Sequence, residues 1–261
     1  MGIIIVILVV LCILFATNKI TLNNNSNQDK INNKTNNNNQ SKEEENTNSY
    51  TINYKEETYA TKNKEAIENT NNKRNVITIE NKNNPNAASL IENKLNEISD
   101  KMWEEIKNMA DDSNENSSTG LGVSYLIETG EITNNRLTFI VNTVGSFGGI
   151  PWDNNEGYNF DATTGNLLKL TDLGTGVFDY IYNQSISQLE QNKTEFSCFE
   201  EDWKDRVKTE LNKDGNWYFT KDGIKVIFPK YSLACGAEGS KFINISKKDI
   251  NSYLNDQYKI K

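Results

Sequence analysis

Carboxylates are the groups best able to do chemistry in this sequence, and a dense set of them lies at Glu200, Glu201, Asp202 and Asp205. Two carboxyl groups that flank a glycosidic bond can hydrolyse it. These four acids fall within one predicted helix, where consecutive side chains point in different directions. The pattern therefore indicates an acidic, solvated helix face. A carboxylate-based cell-wall glycan hydrolase remains open as an alternative function.

The sequence contains no histidine, and this excludes several classes of enzyme. Ser-His-Asp and Cys-His nucleophilic mechanisms require histidine, as do many zinc sites. The acidic loop at residues 111–119 (DDSNENSST) does not have the spacing of an EF-hand calcium loop. We therefore predict no catalytic residue, no metal site and no cofactor.

The three cysteines differ in their surroundings. Cys12 lies in an uncharged hydrophobic run at residues 2–16 (GIIIVILVVLCILFA). A hydrophobic start of this kind directs the rest of a chain out of the cytoplasm. In an exported domain, Cys198 and Cys235 are predicted to form a disulfide. The alternative is two unpaired thiols, one of them reactive.

The hydrophobic run also bears on localisation. It is shorter than the ~20 apolar residues of a typical transmembrane helix, but a cleavage site after Ala16 would put Leu14 where a small residue is preferred. We predict that residues 1–18 are a single-pass membrane anchor, with the C-terminal domain outside the cytoplasm. The alternative is a cleaved signal and a secreted protein. Residues 19–49 are polar and rich in asparagine, which predicts a disordered linker.

The charge of the chain limits its partners. The formal net charge is −8 at pH 7, and the only arginines are Arg74, Arg136 and Arg206. Phosphate backbones would repel such a chain, so nucleic acid is not expected as a partner. A basic protein would be attracted instead.

Hydrophobic periodicity in the rest of the chain predicts an α+β fold with mainly antiparallel sheets and packed helices. Pro85 opens a long helix whose apolar stripe includes Leu90, Ile91 and Leu95. Strands are predicted at residues 50–60, 76–80, 122–128, 136–144, 157–161, 217–220, 223–228 and 242–245, with turns at Thr129-Gly130 and Asp222-Gly223. Further helices are predicted at residues 177–189, 199–211 and 247–254. We expect two subdomains, at residues 50–115 and 116–261.

A glycine-rich loop predicted at residues 146–157 (SFGGIPWDNNEG) supplies candidate ligand-binding residues. Pro151 and Trp152 put a rigid aromatic group beside the acids Asp153 and Glu156. An exposed tryptophan can anchor a protein partner or stack on a sugar ring. The alternative is that Trp152 folds back to cover the core. We predict Trp152, Asp153 and Glu156 as the ligand-binding residues.

Two stretches carry a resemblance to a known family. They are residues 157–173 (GYNFDATTGNLLKLTDL) and residues 217–250 (WYFTKDGIKVIFPKYSLACGAEGSKFINISKKDI). The matching positions are Tyr158, Phe160, Asp161, Gly165, Asp222, Gly223, Ile224, Phe228, Tyr231, Ala237 and Gly239. They resemble the exported region of RsiV, a lysozyme-sensing anti-sigma factor, and the region before the catalytic domain of a peptidoglycan deacetylase. The sequence departs from that family at residues 148–152 (GGIPW), where members often have a histidine.

The resemblance implies an exported module that binds lysozyme. Together with the charge and the predicted anchor, it predicts a membrane-tethered binding module without catalysis. Its ligand would be a protein or peptidoglycan component at the cell wall, with basic lysozyme as the candidate. A structural surface protein with no small ligand is a further alternative to the hydrolase.

Overall fold

The computed structural model describes residues 49–60, 71–112, 122–147, 150–195 and 197–261. The described elements are β1 (Thr51–Ala60), β2 (Asn71–Glu80), α1 (Pro85–Asp112), β3 (Gly122–Ile132), β4 (Arg136–Phe147), β5 (Ile150–Asp161), α2 (Val177–Gln191), α3 (Trp203–Leu211), β6 (Trp217–Thr220), β7 (Gly223–Phe228), β8 (Lys241–Ser246) and α4 (Lys247–Ile250). Short 3-10 turns occur at Leu170–Asp172, Gly236–Glu238 and Asp256–Tyr258. The predicted α+β class is confirmed.

The first sheet contains β1 to β5 in sequential order. Neighbouring strands are antiparallel except β2 and β3, which are parallel. Successive side chains of a strand alternate between the two faces, so Tyr125 and Ile127 point to the same buried face. Helix α1 packs its apolar stripe into this core through Ile91 and Leu95. Leu90, which we expected in the stripe, is instead 51% exposed.

The second sheet is antiparallel, with β7 between β6 and β8. Its apolar face carries Phe219, Val226 and Ile243, which are nearly inaccessible to solvent. Helices α2 and α3 pack Ile181 and Val207 into the same core. Along β8 the buried residues alternate with exposed ones, whereas β6 and β7 are buried along most of their length. The buried residues of α2 lie four positions apart on one helix face. This half of the chain therefore folds around its own core.

Asn159 of β5 joins the two sheets. Its side-chain carbonyl accepts hydrogen bonds from the Thr138 hydroxyl and from the Phe219 backbone N–H, each at 3.0 Å. Its amide donates to the Trp217 carbonyl, also at 3.0 Å. Nearby, the Gly157 N–H donates to the Gly215 carbonyl at 2.7 Å. Because Asn159 is buried, these bonds satisfy polar groups that water cannot reach, and they fix where β6 lies against β5.

The prediction of a loop at residues 146–157 is wrong, because most of these residues belong to two paired β-strands. Strand β4 continues to Phe147, and β5 begins at Ile150. Ser146 pairs with Pro151, and Gly145 pairs with Trp152. Proline lacks an N–H group and is tolerated in sheets mainly on edge strands. Strand β5 is such an edge in this sheet, so the breaker residues do not interrupt it.

The bounds of β3, α3 and α4 also differ from prediction. Strand β3 runs through Gly130 to Ile132, with a register shift that places the turn after Ile132. A β-bulge absorbs the extra residues without ending the strand. Helix α3 begins at Trp203 rather than at residue 199, because Phe199 forms a β-bridge with Ala234. Helix α4 ends at Ile250 rather than at residue 254.

The predicted anchor at residues 1–18 lies outside the described residues, as does the predicted linker at residues 19–49 apart from Ser49. Within the described part of the chain, no helix is long and apolar enough to cross a membrane. The predicted subdomain boundary between residues 115 and 116 also falls outside the described residues. It separates α1 from β3, which contribute to one core. The division into two subdomains stays a prediction.

Candidate functional site

The three predicted ligand-binding residues lie on β5 rather than in a loop. Asp153 is exposed and pairs with the exposed Val144. Side chains alternate along a strand, so Asp153 and Glu156 point to opposite faces of the sheet. Trp152 is paired with Gly145, and its side chain lies outside the described part of the structure. The ligand-binding role of these three residues stays a prediction, and the structure does not bring Asp153 and Glu156 together.

Glu156 lies at one side of an open groove of about 560 Å³, which we call the Tyr231 groove. The opposite sides come from α3, from the turn that follows it, and from the segment after β7. The residues that line the groove with polar groups are Glu156, Arg206, Thr209, Glu210, Lys213, Asp214, Asn216, Lys230, Tyr231 and Ser232. The groove therefore combines residues that are far apart in the sequence.

Glu156 is a half-buried carboxyl group. One of its oxygens accepts a hydrogen bond from the Tyr158 hydroxyl at 2.7 Å, and the other accepts from the Asn154 amide at 3.1 Å. Burial raises the pKa of Glu156, and these two hydrogen bonds oppose that effect only in part. Glu156 is therefore a carboxyl group that gives up its proton less readily than an ordinary surface glutamate.

Tyr125 lies on the same face of the sheet and extends this polar cluster. It is only 1% exposed, and its hydroxyl has no hydrogen-bond partner among the described residues. Burial raises the pKa of Tyr125, and the charge of Glu156 raises it further. Burial and the neighbouring Glu156 also raise the pKa of Tyr158. Both phenols therefore stay protonated at neutral pH beside the Glu156 carboxyl.

Tyr231 is the exposed aromatic residue of the groove. It is 67% exposed, and its φ of +69° is the only positive value among the described non-glycine residues. A left-handed conformation costs an L-residue about 1–2 kcal/mol. A side-chain carbon on Gly236 would overlap the Tyr231 ring, so the absence of one lets the ring lie against the loop backbone. The fold thus holds a strained tyrosine at the surface.

The predicted disulfide between Cys198 and Cys235 is present, with 5.6 Å between the two Cα atoms. The Cys235 N–H also donates to the Cys198 carbonyl at 3.2 Å, and the Glu200 N–H donates to the Leu233 carbonyl at 3.1 Å. These bonds tie the segment that carries Tyr231 to the segment that leads into α3. The disulfide therefore cross-links two sides of the Tyr231 groove.

The acidic cluster around α3 forms the solvated face that the sequence predicts. Glu200, Glu201, Asp202 and Asp205 are all exposed. Arg206 contacts two of them, with its Nε 2.7 Å from Asp202 and its guanidinium 4.0 Å from Glu200. Exposed pairs of this kind contribute little to stability. Among the described residues, no group of three or more acids or cysteines could hold a metal ion.

Sequence reasoning missed most of the groove, although one signal was available. Tyr231 is among the residues that carry the resemblance. Its position directly after a predicted strand indicates only the end of that strand and no binding role. Glu210 sits on the buried side of α3, where it pairs with Lys213 at 2.6 Å and accepts from Asn216 at 2.8 Å. A glutamate in a short charged helix gives no sign of this role. Only the fold brings these residues near Glu156.

Comparison with known proteins gives a family match for part of the chain. Residues 170–248 match the model of a family described as "Protein of unknown function (DUF3298)". The matched range runs from the segment before α2 to the start of α4, so it includes Tyr231 and the disulfide but not Glu156. No curated protein matches the chain.

Solved structures with a similar fold include two DUF3298 family proteins. A member from Bacteroides fragilis is 15% identical, with a TM-score of 0.55, and the match covers 82% of this chain and 96% of that chain. A member from Pseudomonas aeruginosa is 13% identical, with a TM-score of 0.52, and the match covers 82% of this chain and 98% of that chain. Likeness at these identities shows a shared fold and carries no ligand or activity with it.

Proposed function

We propose that this protein is a non-enzymatic binding module that works outside the cytoplasm and binds its ligand in the Tyr231 groove. The observation that carries the proposal is Tyr231 itself, an exposed aromatic residue held in a strained conformation beside an open groove. Strained residues persist only where the surrounding structure holds them, and they cluster at ligand sites. Tyrosine is also a frequent energetic centre of protein interfaces.

Two features support a location outside the cytoplasm. A disulfide between Cys198 and Cys235 is typical of exported proteins. The hydrophobic run at residues 2–16 would direct export, and we propose that it also anchors the chain in the membrane. The polar stretch at residues 19–49 would then act as a tether that holds the binding module near the cell wall.

The proposed ligand is a basic protein at the cell wall, with lysozyme as the candidate. The net charge of −8 would attract a basic partner. The resemblance of residues 157–173 and 217–250 to the exported region of RsiV implies lysozyme in particular. Of the predicted contact residues, Glu156 borders the groove, whereas Asp153 lies on the other face of β5.

The proposal is tested by calorimetric titration of the full, oxidised chain with hen-type lysozyme at low and moderate salt. We expect binding that survives moderate salt and weakens about tenfold or more in Tyr231→Ala, as for a central interface residue. Tyr54→Ala is the matched control, because Tyr54 is an exposed tyrosine on β1. Binding that moderate salt abolishes, or that both variants weaken equally, would contradict a specific groove.

One observation favours a second candidate function. Glu156, whose pKa is raised by burial, shares the groove with Asp214. Two carboxyl groups in a single groove, one of them with a raised pKa, are the kind of pair that a glycoside hydrolase uses. Release of sugar fragments from purified peptidoglycan by the full chain, lost in Glu156→Gln, would replace the binding proposal with this one.

A further inference from the structure

The Glu156 carboxyl has no cationic partner in the part of the chain that the structure describes. None of the ion pairs formed by the described residues includes it. Its two hydrogen bonds come from the neutral donors Tyr158 and Asn154. A half-buried carboxylate without a counterion is unfavourable. A cation supplied from outside would remove that penalty.

The cations that line the groove are engaged elsewhere. Lys213 pairs with Glu210 at 2.6 Å, and Arg206 pairs with Asp202 at 2.7 Å. The ammonium group of Lys230 lies 5.4 Å from the centre of the Tyr231 ring. Tyr231 therefore already stands beside one cation, and its ring presents the kind of surface on which cations bind.

The hydrogen bonds to Glu156 leave room for a forked donor. A carboxylate oxygen can accept two hydrogen bonds. Among the described residues, one oxygen accepts from Asn154 alone and the other from Tyr158 alone, so each retains one acceptor site. An arginine guanidinium donates two parallel N–H bonds that match the two oxygens of a carboxylate. Lysine cannot form this paired contact and is more strongly hydrated.

The buried Tyr125 hydroxyl is an independent sign that this cluster is incomplete. Buried polar groups in folded proteins nearly always have a hydrogen-bond partner. Tyr125 has none among the described residues, although it lies within electrostatic range of Glu156 and Tyr158. The polar cluster beside the groove thus has unused hydrogen-bonding capacity.

We infer that the Tyr231 groove receives an arginine side chain of the protein ligand, with its guanidinium on the Glu156 carboxylate and the Tyr231 ring as an aromatic wall. This inference rests on the proposed binding function and names its central contact. It also specifies the partner more closely, since the partner must present an accessible arginine.

The inferred contact makes binding depend on pH. The titratable and charged groups around Glu156 are Tyr125 on β3, Tyr158 on β5, Asp214 in the turn after α3, and Lys230 in the segment after β7, with Arg206, Glu210 and Lys213 on and after α3. Burial raises the pKa of Glu156, whereas a guanidinium binds only its ionised form. Ligand binding should therefore favour release of the Glu156 proton, and affinity should rise as the pH is raised above the ordinary glutamate pKa of about 4.3.

The direct test follows the carboxyl carbon of Glu156 by NMR in the full chain with ¹³C-labelled glutamate, and Glu156→Gln assigns the signal. The pH titration is repeated with excess acetyl-arginine-amide and with acetyl-citrulline-amide, which has the same shape without the charge. We expect the apparent pKa of Glu156 to fall with the arginine probe and to stay unchanged with the citrulline probe. No change with arginine, or an equal fall with sodium chloride at matched ionic strength, would overturn the inference.

Titration with hen-type lysozyme separates this inference from the proposed function. We expect Glu156→Gln to weaken binding about tenfold, as for loss of a hydrogen-bonded charge contact. Asp179→Asn should weaken it less than twofold, because it removes the same charge from an exposed position on α2 that does not line the groove. Lysozyme binding that both variants leave intact would overturn the arginine contact and keep the binding module. Absence of lysozyme binding, with the arginine effect on Glu156 retained, would instead overturn lysozyme as the ligand.

Discussion

Two acidic residues of strand β5 lie in opposite chemical environments. At Asp161, burial raises the pKa, but hydrogen bonds from the Thr164 and Thr163 backbone, the Thr164 hydroxyl and the Tyr258 hydroxyl together hold it below the ordinary value. At Glu156, two hydrogen bonds do not outweigh burial, and the pKa is raised. Hydrogen-bond donors within the protein thus stabilise the charged form of Asp161, whereas those around Glu156 are too few to offset its burial.

The difference separates a structural region from the proposed binding region. Asp161 belongs to the joint, which we define as Arg136, Asp161 and Tyr258, where the C-terminal segment contacts the first sheet. The Arg136 charge is paired with Glu131 and the Asp161 carboxylate is hydrogen-bonded, although the Arg136 Nε has no partner among the described residues. Glu156 belongs to the Tyr231 groove, where polar capacity is left over. The joint should therefore govern stability, and the groove should govern ligand affinity at little cost in stability.

Removal of the disulfide should have the largest effect, and it should damage the groove more than the joint. Cys198 and Cys235 are separated by 37 residues, and closing a loop of that length contributes about 4 kcal/mol in the chain-entropy model. We expect the double variant Cys198→Ser/Cys235→Ser to lose about that much unfolding free energy in urea and to bind lysozyme more weakly. Cys12→Ser is the matched control and should change neither the unfolding free energy nor the affinity for lysozyme.

Substitution of Arg136 should have the next largest effect, and it should damage only the joint. Arg136 is 1% exposed, pairs with Glu131 at 2.8 Å, donates to the Tyr258 carbonyl at 3.0 Å, and lies 4.2 Å from the centre of the Phe219 ring. Arg136→Met leaves the partly buried Glu131 unpaired and should cost about 3 kcal/mol. The measurement is urea unfolding, combined with lysozyme titration of the folded variant.

Arg206→Met is the control for Arg136, because its ion pairs are exposed and should contribute at most about 1 kcal/mol. If Arg206→Met lowered the unfolding free energy as much as Arg136→Met does, the joint would not differ from the exposed surface in its contribution to stability. A folded Arg136→Met protein that no longer binds lysozyme would show that the joint and the groove are coupled.

Asp161→Asn should have a smaller effect that depends on pH. The lost charge weakens four hydrogen bonds, which should lower the unfolding free energy by about 1–2 kcal/mol at neutral pH. The folded-state pKa of Asp161 is lowered, so its contribution is fully present above the unfolded value of about 3.9 and is lost as the pH falls through the folded value. The unfolding free energies of the wild-type protein and Asp161→Asn should therefore become equal in acid. A difference that stays constant with pH would contradict the stabilising role of the Asp161 charge.

The sequence predicts the local features of the fold better than the way in which the strands and helices are arranged. The hairpin about Asp222-Gly223 and the Cys198–Cys235 disulfide are confirmed, because a turn pair and an exported pair of cysteines carry local or compositional signals. The strand pairing of residues 146–157 was missed, because Pro151 and its neighbouring glycines are breakers except on an edge strand. Edge position depends on which strands pair, and sequence periodicity does not reveal that.

The groove could not be predicted for the same reason. Glu156 meets the turn after α3 because the Gly157 N–H bonds to the Gly215 carbonyl and Gly157 forms a β-bridge with Asn216. Those contacts join positions almost sixty residues apart. The resemblance marked Tyr231 as a shared residue, but neither its positive φ nor the close approach of its ring to Gly236 can be read from the sequence.

Glu156→Gln should have the smallest effect on stability and, unlike the other substitutions, should stabilise the protein. The folded-state pKa of Glu156 is raised, so the folded protein binds more protons than the unfolded chain, and stability falls as the pH rises from the unfolded value of about 4.3 through the folded value. Glutamine removes this penalty while it can still accept from Tyr158. We expect unfolding free energy at neutral pH to rise by about 1 kcal/mol, and the gain to disappear below about pH 4.

The Asp161→Asn and Glu156→Gln variants should change the unfolding free energy in opposite directions, and this difference tests the two carboxyl environments most directly. A carboxyl that the protein has saturated with donors should stabilise the fold, and its loss should leave ligand affinity unchanged. A carboxyl left short of donors should weaken the fold, and its loss should reduce affinity, as expected where function opposes stability. If Glu156→Gln instead destabilised the protein at neutral pH, Glu156 would be a structural residue like Asp161. The Tyr231 groove would then lack the acidic group that the arginine contact requires.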